Sequence, residues 1–172
     1  MVDATQEMSE ALAHCLATVC KRGPDDEDVR RLADALARAD TAALSELRER
    51  VPGATEQTFV LLGYDLPGIQ GAIHDTSRRP IIHATSRLIQ EACRDVVRYF
   101  EEATGLPRSC VVFSGGGQGL IVVPRAAANT AESAVRRAFQ RVQVAQPVVA
   151  RLDIRPVELV IQRYLSNLDF SE

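Results

Sequence analysis

The chain has 172 residues, 46% hydrophobic and 25% charged, a profile that suits a globular protein with a real buried core. A net charge of −3 and the absence of tryptophan argue against a globally basic nucleic-acid surface and against an aromatic platform for single strands. No apolar run approaches the roughly 20 residues that span a bilayer, and Met1-Val2-Asp3 opens no signal peptide, so the expectation is a cytoplasmic protein without a membrane partner.

From about Ala4 to Arg50 the pattern is helical. Leu12, Cys15, Leu16, Val19 and Cys20 recur at steps of three and four, which makes one apolar stripe. Gly23 and Pro24 mark a stop. Asp25, Asp26, Glu27 and Asp28 then put acids at the start of a second helix, where the dipole favours them. Val29, Leu32 and Leu36 form its inner face, and Asp40-Thr41 caps a third short helix carrying Leu44 and Leu47. Cys15 and Cys20 lack zinc-ligand spacing, and Cys93 and Cys110 fall within apolar patterns, so the four thiols are expected to be structural. The turn-rich run Val51 to Thr55 closes this part. The expected division is a helical segment over 1–54 and a second domain over 55–172. The helical segment could pack on the second domain or form a docking module.

In that second domain Phe59-Val-Leu-Leu62 is a short buried strand that runs on to Asp65. Pro67-Gly68 turns the chain, and His74 to Pro80 is a polar loop. Ile82, Leu88, Ile89, Ala92, Cys93, Val96, Val97 and Phe100 give a long amphipathic helix from about Ile81 to Glu102. Cys110 to Phe113 and Leu120 to Val123 are strands joined by Gly115-Gly-Gly-Gln-Gly119, which supplies positive φ. Ala131 to Val142 is a second amphipathic helix, and 148–154 and 157–161 supply one or two final strands. The order βαββαβ predicts an α+β, ferredoxin-like antiparallel sheet with both helices on one face, preceded by the N-terminal helical segment.

The residues that carry chemistry gather at one end of this plan. Asp65 ends the first strand, where it is either a strand-end cap of the turn or a ligand for a metal or nucleotide. Four glycines in the five positions from Gly115 to Gly119 exceed the need of a plain hairpin. That surplus fits either close approach of a phosphate or base to backbone N–H groups or a tight protein contact. Ser114 adds a hydroxyl, and Gly68, His74 and Asp75 lie in the preceding turn and loop. No Ser/His/Asp or Cys/His nucleophile arrangement is present.

Three pieces in order, Tyr64-Asp-Leu-Pro-Gly-Ile-Gln-Gly-Ala-Ile73, His83-Ala-Thr-Ser-Arg-Leu-Ile89 and Val112-Phe-Ser-Gly-Gly-Gly-Gln-Gly-Leu-Ile-Val-Val-Pro124, resemble the palm domain of CRISPR polymerases. That family includes the large subunit of type III CRISPR effector complexes and minimal stand-alone relatives; the GGDEF diguanylate cyclases belong to the wider palm group. The resemblance covers roughly Thr58 to Ile161. It implies a pair of Mg²⁺ or Mn²⁺ ions joining NTPs into linear or cyclic oligonucleotide messengers, in antiviral defence. Active members place one acid at the end of the first strand, which Asp65 matches, and an acid pair in the hairpin. Here that pair is missing: Gly116, Gly117, Gln118 and Gly119 stand in its place. Neutral glutamine cannot balance two divalent cations. The first palm of the large CRISPR subunit resembles this pattern, a glycine-rich hairpin without acids that still helps hold a nucleotide facing a catalytic palm.

The resemblance thus implies a nucleotide-binding or regulatory palm whose expected ligand contacts are Asp65, Gly68, His74, Asp75, Ser114, Gly115, Gly116, Gly117 and Gln118. Asp65 is the single expected metal ligand, and no residue is assigned as catalytic unless Asp65 acts with acids such as Asp75 or those of a second subunit. Partners are a nucleotide or cyclic nucleotide, and a second copy of the chain or a catalytic palm protein. The rival readings are an active nucleotide cyclase and a ferredoxin-like interaction module that binds no nucleotide.

Overall fold

Phe59 to Asp65 (β1) forms a strand because its run of apolar and aromatic side chains is covered from both sides. The computed structural model describes residues 4–23, 25–38, 40, 43, 50, 59–68, 79–142 and 146–154. Its helices are α1 (Ala4–Cys20), α2 (Glu27–Arg38), α3 (Arg79–Thr104) and α4 (Ala128–Phe139). Its strands, besides β1, are β2 (Val111–Gly115), β3 (Gln118–Pro124) and β4 (Val148–Ile154). The expected third short helix with Leu44 and Leu47, and the expected strand at 157–161, lie outside the described residues.

The sheet order is β2-β3-β1-β4, and every neighbouring pair is antiparallel. That is the ferredoxin-like arrangement the sequence predicts. Register fixes which side chains share a face, because successive residues of a strand alternate. Tyr64 lies opposite Gly119 and Val149, and Gly119 lies opposite Ser114. This face meets α3 and α4: Tyr64 rests on Phe139, with ring centroids 5.6 Å apart. On the same face Arg151 of β4 reaches Glu132 and Asn129 of α4. Phe100 and Val96 of α3 and Val135 and Phe139 of α4 close this half of the core.

The opposite face carries Phe59, Leu61 and Val122, all buried. Here α1 packs against β3 and the 3₁₀ turn Arg108–Cys110. Cys15 of α1 donates its thiol to the Val122 carbonyl at 3.2 Å and lies 3.7 Å from the Cys110 sulfur. Leu12, Leu16, Leu32 and Val29 join one core cluster with the sheet, so the described N-terminal helices pack on the sheet domain. All four cysteines are free thiols. The hydrogen bond to Cys110, then burial, pushes the Cys15 thiol well up, as an inert core group requires.

One local detail differs from the sequence expectation and a second sharpens it. The first helix ends at Cys20 with Lys21 in the left-handed region (φ 52°) and an Arg22 N–H to Ala17 carbonyl bond, so Gly23 is not the residue that turns the chain. In the acidic run at α2, Asp26 is the cap: its carboxylate accepts from the backbone N–H groups of Asp28 and Val29.

Candidate functional site

The five-residue glycine connection is shorter in structure than in sequence, because both strands extend into it. Gly115 pairs with Gln118, leaving a two-residue turn. Gly116 (φ 60°) and Gly117 (φ 90°) occupy it, and a type I′ hairpin requires positive φ at both positions. Gly119 has a separate reason. A Cβ there would lie 2.3 Å from Tyr64 Cε1 and 2.4 Å from Cζ, so the glycine is the space into which the aromatic ring lies. Turn geometry and Tyr64 together account for three of the four glycines, and Gly115 alone has neither a positive φ nor a close neighbour.

On the helical face this end of the sheet is sealed. The Ser114 hydroxyl donates to the Cys93 carbonyl at 2.8 Å, and Tyr64 Oη lies 2.6 Å from Ser114 Oγ. With the serine proton on that carbonyl, the tyrosine hydroxyl is the donor between the two. Burial raises the Tyr64 phenol far above its ordinary value, outweighing the Ser114 hydrogen bond, so the group stays protonated. Burial likewise raises the Cys93 thiol, against the opposing contact from the Gly117 backbone. Ser114 and Gly117, both expected ligand contacts, are thus already engaged with α3.

The other face is open at the same end. The register places Phe113, Leu120, Gly63 and Ala150 in one row across the sheet. In the next row Val148 lies opposite Asp65 and Gly115 opposite Gln118; continuing the β1–β3 register puts Asp65 level with Gln118. A one-residue shift in β2 between Val111 and Phe113 turns Phe113 onto this face. Gly63, Ala150 and Gly115 leave a low floor. Phe113 (42% exposed) and Val148 (59% exposed) stand at the two sheet edges, three strand spacings or roughly 14 Å apart. Asp65 is exposed and has no side-chain hydrogen bond or ion pair among the described residues.

Of the expected site residues, the structure brings Asp65, Gly115 and Gln118 together on this open face. It sets Ser114 on the opposite face and gives Gly116 and Gly117 to the turn. Gly68, at φ 79°, is exposed in the turn after β1. His74 and Asp75 lie outside the described residues. Phe113 and Val148 were not among the expected contacts. Sequence reads both as strand residues of a buried pattern, and only the β2 shift and the edge position of β4 expose them.

Two divalent cations a few ångströms apart need several carboxylates. The described part of this face offers Asp65 and the neutral amide of Gln118. No group of three metal-ligating side chains occurs among the described residues. The described residues of this face do not by themselves make up a two-metal centre.

A β2-β3-β1-β4 sheet with two helices on one face and an acid ending its first strand beside the β2–β3 hairpin is the ferredoxin-like arrangement that palm domains share with many other proteins. Residues 58–149 match the family model described as Csm1 subunit domain B, and the chain belongs to that family. No curated protein matches it. Its fold is similar to that in the crystal structure of a Csm1-Csm4 cassette in complex with cA4, at 21% identity over 81% of this chain and 22% of that one, TM-score 0.53. The same cassette in complex with pppApApA matches at 23% identity with the same coverage and TM-score 0.53. The Csm1-Csm4 subcomplex in the type III-A CRISPR-Csm interference complex also matches at 23%, with TM-score 0.53. The chain spans about a fifth of the length of these solved chains, 22% in each case. No helix among the described residues is long and apolar enough to cross a membrane.

Proposed function

We propose that this chain is a nucleotide-binding palm without independent catalysis, working beside a catalytic palm in cyclic-oligonucleotide antiviral defence. A CRISPR-associated role follows from the family. The observation that carries the finer reading is the placement of Asp65: a carboxylate on the open face with no partner among the described residues, level with Gln118 of the hairpin in which active palms carry acids. In this reading the low floor between Phe113 and Val148 receives the base and sugar. Asp65 meets a single Mg²⁺ or Mn²⁺ carried by the triphosphate, and Gln118 donates its amide N–H to a phosphate oxygen. One carboxylate can hold such a complex but cannot also activate an attacking hydroxyl. The second palm then supplies the acids, from a partner protein or from another copy of this chain.

The adenine-nucleotide complexes of the similar Csm1-Csm4 cassettes make ATP the first ligand to test. Calorimetry with ATP and Mg²⁺, beside an assay for oligonucleotide product, is expected to give binding without product. Asp65→Ala should weaken that binding about tenfold, as loss of a charge-assisted contact does. Product formed by the chain alone and abolished by Asp65→Ala would instead make it an active cyclase. No binding at saturating ATP would leave an interaction module.

A further inference from the structure

Cys15 and Cys110 are 95 positions apart in the chain, and the fold brings their sulfurs to 3.7 Å. That is van der Waals contact, roughly 1.7 Å longer than an S–S bond. Both side chains are fully buried, at 0% exposure, and both are free thiols. Cys15 sits on α1, with its thiol also 3.2 Å from the Val122 carbonyl of β3. Cys110 ends the 3₁₀ turn Arg108–Cys110 and directly precedes β2, the strand that leads into the hairpin. The contact therefore lies where the N-terminal helices meet the hairpin strands, and nothing in the proposed nucleotide site uses it.

The other two thiols are placed differently. Cys93 lies across the sheet, on the face where Ser114 and the Gly117 backbone meet α3. Cys20, at the end of α1, is half-buried. Among the described residues Cys15 and Cys110 are the one pair of thiols in contact.

We propose that Cys15 and Cys110 are a redox latch: a low-molecular-weight disulfide oxidises the pair to one disulfide that ties α1 to the start of β2. The thiolate of one cysteine attacks the small disulfide, forming a mixed disulfide and expelling one small thiolate. The thiolate of the second cysteine then attacks the protein sulfur of that mixed disulfide and expels the other small thiolate. The protein loses two hydrogens, the small disulfide takes them up as two thiols, and no further reactant is needed. Contact between the two sulfurs keeps the second thiol within reach of the first, which favours the bridge over a lasting adduct. Because both sulfurs are buried, the first attack waits on a local opening of α1, and the closed reduced fold is inert. Once formed, a bridge over 95 positions restricts the unfolded chain far more than the folded one, so it holds α1 on the sheet.

The test uses the full chain carrying Cys20→Ser, which removes the half-buried thiol that would itself take up oxidant. Incubating the folded protein with glutathione disulfide should lower the thiol count, read with a chromogenic thiol reagent after denaturation, from three to one. The intact mass should fall by two hydrogens, and a peptide map should join the Cys15 and Cys110 peptides. The midpoint of denaturant unfolding should rise, and return on reduction with dithiothreitol. Cys110→Ala in the same background should form no bridge and show no rise; the peptide map decides the matter by itself if that variant does not fold. Three thiols persisting in the folded protein, a lasting glutathione adduct on Cys15 or Cys110, a bridge to Cys93 or a lowered midpoint after oxidation would overturn the proposal.

Discussion

Tyr64 and Asp65 are neighbours in the chain and stand on opposite faces of one sheet, and the two faces have opposite physics at this end. Around Tyr64 every polar group has a partner inside the protein: Ser114, the Cys93 carbonyl and the Gly117 backbone close on one another over the Phe139 ring. Around Asp65 the polar groups are exposed, the floor is made of small residues and two apolar side chains stand uncovered. The first face holds the hairpin in place; the second has free groups with which to meet a ligand. The proposed nucleotide site would need both, since exposed ligand groups are useful only on a backbone that does not move.

Substitutions on the two faces should therefore separate stability from binding. The largest effect belongs to Gly119→Ala, whose new Cβ meets the buried Tyr64 ring, itself held between Phe139 and Ser114. About 2–3 kcal/mol of destabilisation is expected in denaturant unfolding. A smaller cost, about 1 kcal/mol, is expected for Tyr64→Phe, which removes one hydroxyl and leaves the Ser114–Cys93 bond standing. A Tyr64→Phe change that abolished nucleotide binding without altering stability would break the assignment of Tyr64 to the structural face.

Glu132 comes next in size. Burial alone would raise its carboxyl, but hydrogen bonds from Arg136 and Arg151 outweigh that and hold it below the usual range. A carboxyl depressed in the folded state contributes stability above its unfolded pKa, and the contribution disappears as pH falls through the folded value. Glu132→Gln should accordingly cost about 0.5–1 kcal/mol near neutral pH, since both arginines are substantially exposed. The gap from the unsubstituted protein should close in acid, measured as unfolding midpoints across pH. Smallest in stability is Asp65→Ala, expected within about 0.5 kcal/mol because the side chain has no described partner. Its effect should appear in ligand binding instead, and a large loss of stability would contradict the open-face reading.

Much of this was legible in the chain. The periods of two and of 3.6 mark β1, α3, the hairpin strands and α4 in the observed order, and that order gives the βαββαβ plan. The substitution of Gly and Gln for hairpin acids is a fact of sequence and needs no structure. The meaning of the glycines was less legible: their surplus suggests a phosphate cradle, yet Gly119 answers to Tyr64, which lies 55 residues earlier and meets it only through strand pairing.

The sequence by itself thus determined the elements, their order and the absence of acids from the hairpin Gly115–Gly119, because these depend on residue type and local periodicity. Tertiary structure decided which face each residue serves. One residue of register moves every side chain of a strand to the other side, and register is set by pairing between distant segments. For the same reason only the packed helices show Arg98 and Arg137 sharing the Tyr99 ring. Only the assembled sheet shows Ser114 turned inward and Asp65 outward, fixing which groups are free to meet a ligand.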